Sequence, residues 1–275
     1  MNKLSRVGVD LAKNIFQLHG VDRHGESAWR RRLTRNNWLK VLLDKVEPGC
    51  TIGMEACTGA HHWARQLQAK GFTVKLIAPQ FVKPYVKSNK NDANDAEVVC
   101  EAMSRPSMRF VAVKTIEQQD IQATHRIRSE LLGQRTSKAN QIRGLVAEYG
   151  LVAPQHLARL RAAVPDWLED ADNALTVDFR SLLADLAEDL RYLDDRIALL
   201  DEQIAQRVKE DPVARRLLAL RGIGPLTASA LAGALGNAQA FNKGRDFAVS
   251  LGLTPRQHST GGKDRLLGIS KRGDA

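Results

Sequence analysis

The order of patterned runs in the first 110 residues limits the fold more than any other feature of this chain. The segment VGVDLAKNIFQLHGVDRHGESAWRRRL reads as strand, turn, strand, turn, strand, with Asp22 to Gly25 as the hairpin signal. Strands joined by so few residues must pair antiparallel, so the fold begins with a β-meander. A helix over Asn37 to Lys45, a short buried strand over Thr51 to Glu55, a helix opening near Gly59 to His62 and a strand over Thr73 to Ala78 follow. After a loop from Pro79 to Pro84, DANDAEVVCEAMSR places Ala96, Val99, Cys100 and Met103 at helical spacing. Strands that alternate with helices return parallel. A meander continued in that way gives a mixed sheet covered on both faces and complete near residue 110.

From Thr115 the pattern turns helical. Thr115 and Gln118 stand at capping-box spacing, and no proline interrupts the chain from there to Gly150, which predicts one long helix. Its Arg128, Arg135, Lys138 and Arg143 suit either a phosphate backbone or a solvated face. Further on, Leu182, Leu186, Leu190, Leu193, Ile197, Leu200 and Ile204 recur three or four residues apart, the seam of an antiparallel helical hairpin or a coiled coil. Its partner is either the earlier helix or a second protomer.

Beyond Asp211-Pro212, two apolar helical stretches in LLALRGIGPLTASALAGALG meet at Gly222-Ile223-Gly224. This is a helix-hairpin-helix pattern, in which Gly222 and Gly224 let a phosphate approach the backbone and the free N–H groups of the second helix. A tight turn with a glycine cap is the plainer reading. The stretch LGLTPRQHSTGGKDRLLGISKRGDA, rich in Gly, Arg and Lys, reads as loop. The expected fold class is α/β plus all-α: an α/β domain over residues 1–110, a helical coiled-coil spacer and assembly segment over 111–210, and a small helical domain over 211–275.

Charge narrows the class of partner. The net charge is +10, and it is unevenly spread: residues 1–110 hold 18 Lys/Arg against 10 Asp/Glu, 111–210 hold 13 against 17, and 211–275 hold 10 against 4. Two basic ends flanking an acidic middle suit two modules that face nucleic acid across a spacer, because basic surfaces release counterions when they cover phosphates. Three cysteines without regular spacing make neither a disulfide framework nor a zinc site, which points to a reducing, cytoplasmic setting. No run approaches the length of a membrane span.

Four acids of the first module are placed to do chemistry. Asp10 ends the first strand, Glu55 ends an interior strand, and Asp92 and Asp95 stand three apart at a helix start. Carboxylates gathered at one sheet edge by two strands and a helix can hold two Mg²⁺ ions, hard cations that take oxygen ligands. Taken singly, Asp92 also suits an N-cap, Asp95 a helix-dipole partner and Asp10 a turn brace. An acid on the first strand of a meander followed by α/β crossovers is the ribonuclease-H arrangement.

GVDLAK at 8–13, GMEACTG at 53–59 and KNDANDAE at 90–97 resemble the DEDD motifs of the insertion-sequence transposases related to the Piv DNA invertases. RGIGPLTASALAGALG, FNKGRDFAVSLGLTPRQHSTGGK and GISKRGD resemble that family's C-terminal signature, so the likeness covers the whole chain in the same order. It implies a RuvC-like metal domain with Asp10, Glu55, Asp92 and Asp95 as ligands of two Mg²⁺ ions. It further implies a helical segment, a transposase domain whose Ser259 is the nucleophile, and DNA as substrate. Thr260 is the neighbouring hydroxyl one position away. Arg256, Lys263, Lys271 and Arg272, with Gly222 and Gly224, are the expected nucleic-acid contacts, and a dimer or tetramer is expected. Some family members are guided by a structured RNA that pairs with donor and target DNA. Members also continue past Lys271-Arg272-Gly273-Asp274-Ala275 into a further basic helix. Two other readings are a RuvC-like nuclease using water and a non-catalytic nucleic-acid-binding assembly protein. An actin-like ATPase is disfavoured, because no glycine-rich phosphate loop of the needed kind follows.

Overall fold

The computed structural model describes residues 3–82, 92–236, 238 and 241–269, with the backbone alone at 92–94. Lys271 and Arg272 lie outside the described residues, as does the side chain of Asp92. The chain divides into two compact units, residues 1–115 with 238–275, and residues 116–237.

The first unit is built on six strands: β1 (Arg6–Asp10), β2 (Ile15–Val21), β3 (Ser27–Thr34), β4 (Thr51–Glu55), β5 (Thr73–Ile77) and β6 (Phe110–Val111), in the order β3-β2-β1-β4-β5-β6. The first three pair antiparallel, β4 and β5 join β1 in parallel, and β6 returns antiparallel. The meander and crossovers therefore form the mixed sheet that the run order implies. The two-residue β6 carries too little pattern to read in advance. Along β1 and β4, Val7, Val9, Ile52 and Met54 face one side. There α1 (Trp38–Lys45) and α2 (Ala60–Gln68) bury Trp38, Leu42, Ala64 and Leu67 against them. Phe16, Trp38 and Trp63 stack edge to tilt at 4.9–5.7 Å in the same core.

The opposite side of the sheet carries α4 (Asp92–Ala102), which follows a single helical turn, α3 (Pro79–Val82), where the sequence reads as loop. It can lie close only because the strands present glycine to it. A Cβ at Gly8 would stand 2.1 Å from the Ala96 carbonyl oxygen, and one at Gly53 would meet Met103 at 2.9 Å. Val98, Val99, Cys100 and Met103 fill the space between.

The second unit pairs two long helices, α5 (Ile116–Ala147) and α7 (Val177–Glu210), with α6 (Leu157–Glu169) between them in sequence. The apolar seam of α7 packs on the chain's own α5. Its buried members are Phe179, Leu183, Leu190, Leu193, Ile197, Ile204 and Val208. Leu182 is a correction: it is 59% exposed, because a strict heptad traced back from Leu190 passes through Leu186 to Leu183 and Phe179. The basic face of α5 is also accounted for within the chain. Arg128 binds Asp201, Arg135 lies 3.2 Å from Asp194, and Lys138 lies 2.9 Å from Asp189, an antiparallel ladder of ion pairs. Arg143 donates to the carbonyls of Pro154 and Gln155. Arg180 binds the connecting turn, donating to the carbonyls of Trp167, Leu168, Asp170 and Leu175 and to Asn173 Oδ1.

Two shorter helices, α8 (Pro212–Leu218) and α9 (Pro225–Leu235), complete this unit as a helical hairpin, with Ile204, Val208, Ala214, Ala228 and Ala232 buried together. Asp211 Oδ1 accepts from the Val213 and Ala214 N–H groups, and Pro212 and Pro225 each open a helix. Residues 255–269 form a β-hairpin, β7 (Pro255–Gln257) with β8 (Leu266–Ile269), where the composition suggests loop. Gly261 and Gly262 both have positive φ, the backbone of a two-residue hairpin turn, and Thr260 bridges Lys263 across it.

Candidate functional site

The register of the sheet sets two of the four predicted acids, Asp10 and Glu55, at the ends of neighbouring strands. Gly8 pairs with Gly53 and Val9 with Met54, so one residue further Asp10 and Glu55 end adjacent parallel strands side by side. Both are on the α4 face, because each lies two residues beyond a glycine that touches α4. Asp95 precedes Ala96, whose carbonyl lies over Gly8, which puts the first turns of α4 against β1. Asp10, Glu55 and Asp95 are each partly exposed. The Cys57 thiol registers the shared field: burial pushes its pKa up first, then the Glu55 and Asp10 carboxylates push it further.

Hard oxygen donors side by side at a strand edge are the donor chemistry that Mg²⁺ takes, so the acids present fit the ion. Among the described residues no three His, Cys, Asp or Glu side chains converge within metal-binding range, and the side chain of Asp92 is not one of those described.

The hydroxyl candidates occupy the β7–β8 hairpin. Ser259 Oγ donates to Asp264 Oδ1 at 2.7 Å, while Gln257 Nε2 donates to Ser259 Oγ at 2.8 Å and to the same carboxylate oxygen at 3.1 Å. Two side chains, Gln257 and Asp264, thus fix the Ser259 hydroxyl, whereas Thr260 takes part in the turn through its carbonyl, which accepts from the Lys263 N–H at 3.1 Å. Gln257 and Asp264 are residues the sequence reading passed over. The signal that could have found them is the Gly-Gly turn, which sets Ser259 and Asp264 on facing arms. Arg256 and Lys263 are exposed on the same hairpin.

At the helical hairpin, Gly222 has a φ of +90°, and Gly224 is the N-cap of α9. A Cβ at either position would meet nothing within 4 Å. The backbone here is open, and Gly222 alone is required by its dihedral angle.

Comparison with known proteins shows the family. Residues 7–151 match the family model of DEDD transposases of the IS110 type, and residues 214–275 match the model described as "Transposase IS116/IS110/IS902 family". The chain belongs to the IS110/IS116 family of transposases. Within that family it is 52% identical to a Pseudomonas aeruginosa protein named "Probable family 20 transposase", over 98% of this chain and 80% of that protein. It is 42% identical to the "Transposase for insertion sequence element IS1328" of Yersinia enterocolitica, over 100% of this chain and 80% of the relative. The "Pilin gene-inverting protein" of Moraxella lacunata is 24% identical over 93% of this chain and 73% of its own length. The α/β unit with its six-stranded mixed sheet is consistent with the ribonuclease-H-like DEDD domain of such transposases. No helix among the described residues is long and apolar enough to cross a membrane.

Proposed function

We propose that this transposase cuts and rejoins DNA strands with a Mg²⁺ site held by Asp10, Glu55, Asp92 and Asp95 and with Ser259 as the nucleophile. The observation that carries the reading is the lateral pairing of Asp10 and Glu55 at the ends of two parallel strands, under a helix that brings Asp95 to the same face. Bound there, Mg²⁺ would neutralise charge on the phosphodiester and on the leaving oxygen. The chain's own groups do the rest. Ser259 Oγ attacks phosphorus as its proton passes to Asp264 Oδ1, to which it already donates. The P–O bond to one strand end breaks, and that end leaves as a hydroxyl on taking a proton from solvent. Gln257 and Asp264 hold the attacking oxygen in one rotamer beforehand.

Supporting positions for DNA are the open backbone at Gly222 and Gly224, the exposed Arg256 and Lys263, and the basic tail that carries Lys271 and Arg272. In this reading residues 1–110 carry the metal, 111–210 are spacer and assembly segment, and 211–275 supply the nucleophile. The protein works as a homo-oligomer in the cytoplasm, and a guide RNA is a further partner to be sought by sequencing nucleic acid that copurifies. The test is adduct formation on DNA ends of the mobile element. Ser259→Ala should abolish a covalent protein–DNA product while Thr260→Ala retains it. Loss in the threonine variant alone would move the nucleophile by one position. Cleavage without an adduct, unaffected by Ser259→Ala, would favour water as nucleophile.

A further inference from the structure

The edge strand β3 carries three consecutive arginines, Arg30, Arg31 and Arg32, with Arg35 just beyond its end, and all four are exposed. Their surroundings differ. Arg30 is held by Glu97 of α4 at 2.6 Å. Arg31 donates to the neighbouring Arg30 carbonyl at 3.0 Å. The Arg35 guanidinium lies over the rings of Trp63 and Phe16, 5.4 and 6.0 Å from their centroids. Among the described residues no carboxylate, carbonyl or ring engages Arg32.

Strand register decides where that unengaged cation sits. Arg32 pairs with Gln17, and Gln17 pairs with Asp10. Directly paired residues project from the same face of a sheet. That face is the α4 face, since Arg30, two residues before Arg32, reaches Glu97, and Gly8, two before Asp10, touches Ala96. Arg32, Gln17, Asp10 and Glu55 therefore form one row across four strands. Two strand spacings put the Arg32 and Asp10 Cα atoms about 10 Å apart. The half-buried Gln17 amide lies between them, so Arg32 flanks the acids without being neutralised by them. Arg31 shares the opposite side with Trp29 and Leu33.

We infer that Arg32 binds a backbone phosphate of the DNA strand beside the one presented to Asp10 and Glu55, and so sets how the strand lies across the carboxylates. A strand crossing a sheet edge meets a cation first and the acids next, and a planar guanidinium is suited to a phosphate. The inference rests on the proposed DNA-processing role of these acids. Arg32 is a positioning residue, not a group that touches the reacting atoms.

The experiment is metal-free binding of element-end DNA duplexes, titrated in EDTA across a range of salt. Arg32→Gln should weaken binding severalfold and reduce the salt slope by about one, the value for one lost phosphate contact, with melting temperature unchanged. Arg32→Lys should restore the slope and part of the affinity. Arg31→Gln, one residue away on the other face, should change neither. In the same buffer Asp10→Asn should tighten binding, and by a smaller factor when Arg32→Gln is also present, because the phosphate then no longer sits beside Asp10. Equal losses in Arg31→Gln and Arg32→Gln, or no loss in Arg32→Gln, would overturn the inference. RNA of the same sequence, bound with the same Arg32 dependence and in preference to DNA, would overturn the choice of DNA. If the unmodified protein binds no nucleic acid, the DNA-processing reading itself fails, a result distinct from any of these.

Discussion

Gly8→Ala tests the packing that assembles the acidic site. The new methyl would stand 2.1 Å from the Ala96 carbonyl oxygen and 2.8 Å from the Cys100 nitrogen, both backbone atoms of α4, which no rotamer change can move. To reach ordinary contact the helix must retreat by more than about 1 Å, which opens voids around Val99 and Cys100, buried there at 1% and 3% exposure. Overpacking of this kind costs about 1–3 kcal/mol, partly offset by the lower unfolded-state entropy of alanine, for a net loss of about 2 kcal/mol. For a unit of this size that corresponds to a melting temperature lower by about 6–8 °C. Gly53→Ala is the matched comparison. Its methyl would meet Met103 Cε and Sδ at 2.9 Å, the end of a flexible side chain that can turn aside, and Val99 Cγ1 at 3.2 Å, a side-chain methyl that must give by a few tenths of an ångström but no backbone atom, so the cost should stay at about 1 kcal/mol, below that at Gly8. Thermal melts followed by circular dichroism give both numbers. Because α4 carries Asp95, Gly8→Ala should also weaken the Mg²⁺-induced rise in melting temperature. Equal costs at the two glycines, or a Gly8→Ala melt indistinguishable from the parent, would refute the argument that this close approach seats the helix.

Glu55→Gln should remove the rise in melting temperature caused by Mg²⁺ and abolish strand cleavage, while metal-free DNA binding persists; cleavage retained at the parental rate would take Glu55 out of the metal site. Ile197→Asp places a charge in the α5–α7 seam and should unfold the second unit by circular dichroism, whereas Leu182→Asp, at a solvent-facing position, should leave it folded, with sedimentation then reporting whether that face joins protomers. Gly222→Ala should lower stability by about 1 kcal/mol because of its left-handed backbone, whereas Gly224→Ala should leave melting unchanged and weaken DNA binding if phosphate approaches there. Acidification should destabilise the fold. His19 is held below the usual histidine pKa of 6.5 by burial and then by Arg30, against the pull of Glu97, and His125 by burial and then by Arg128. Both are depressed in the folded state, so the unfolded chain binds more protons in this range. Stability is full above about pH 6.5 and falls as pH drops, and His19→Gln should flatten part of that slope in melts across pH.

What the sequence determined by itself was whatever depends on neighbours along the chain. Alternation and short turns dictate the meander, helical spacing marks α4 and α7, and a capping box with no proline after it marks α5. The acids at strand ends and at a helix start are legible because their positions are defined by those same local elements. What depends on contacts far apart in the sequence was decided by the tertiary structure. The seam of α7 has the same spacing whether it faces α5 or a second protomer, and only packing shows Leu183 and Phe179 inside and Leu182 outside. Arg128, Arg135 and Lys138 suit a solvated face or a phosphate track alike until Asp201, Asp194 and Asp189 are seen 51 to 73 residues away. The hairpin around Ser259 lacks a clean period of two, so charge and glycine content suggested loop where Gly261 and Gly262 turn the chain. Arg32 was one of three like residues until strand register, a property of pairing between strands, set it in the row of Asp10 and Glu55. Local propensity acts over a few residues, whereas register and burial are fixed by the whole sheet and core at once, and so the placement of single charges was decided only there.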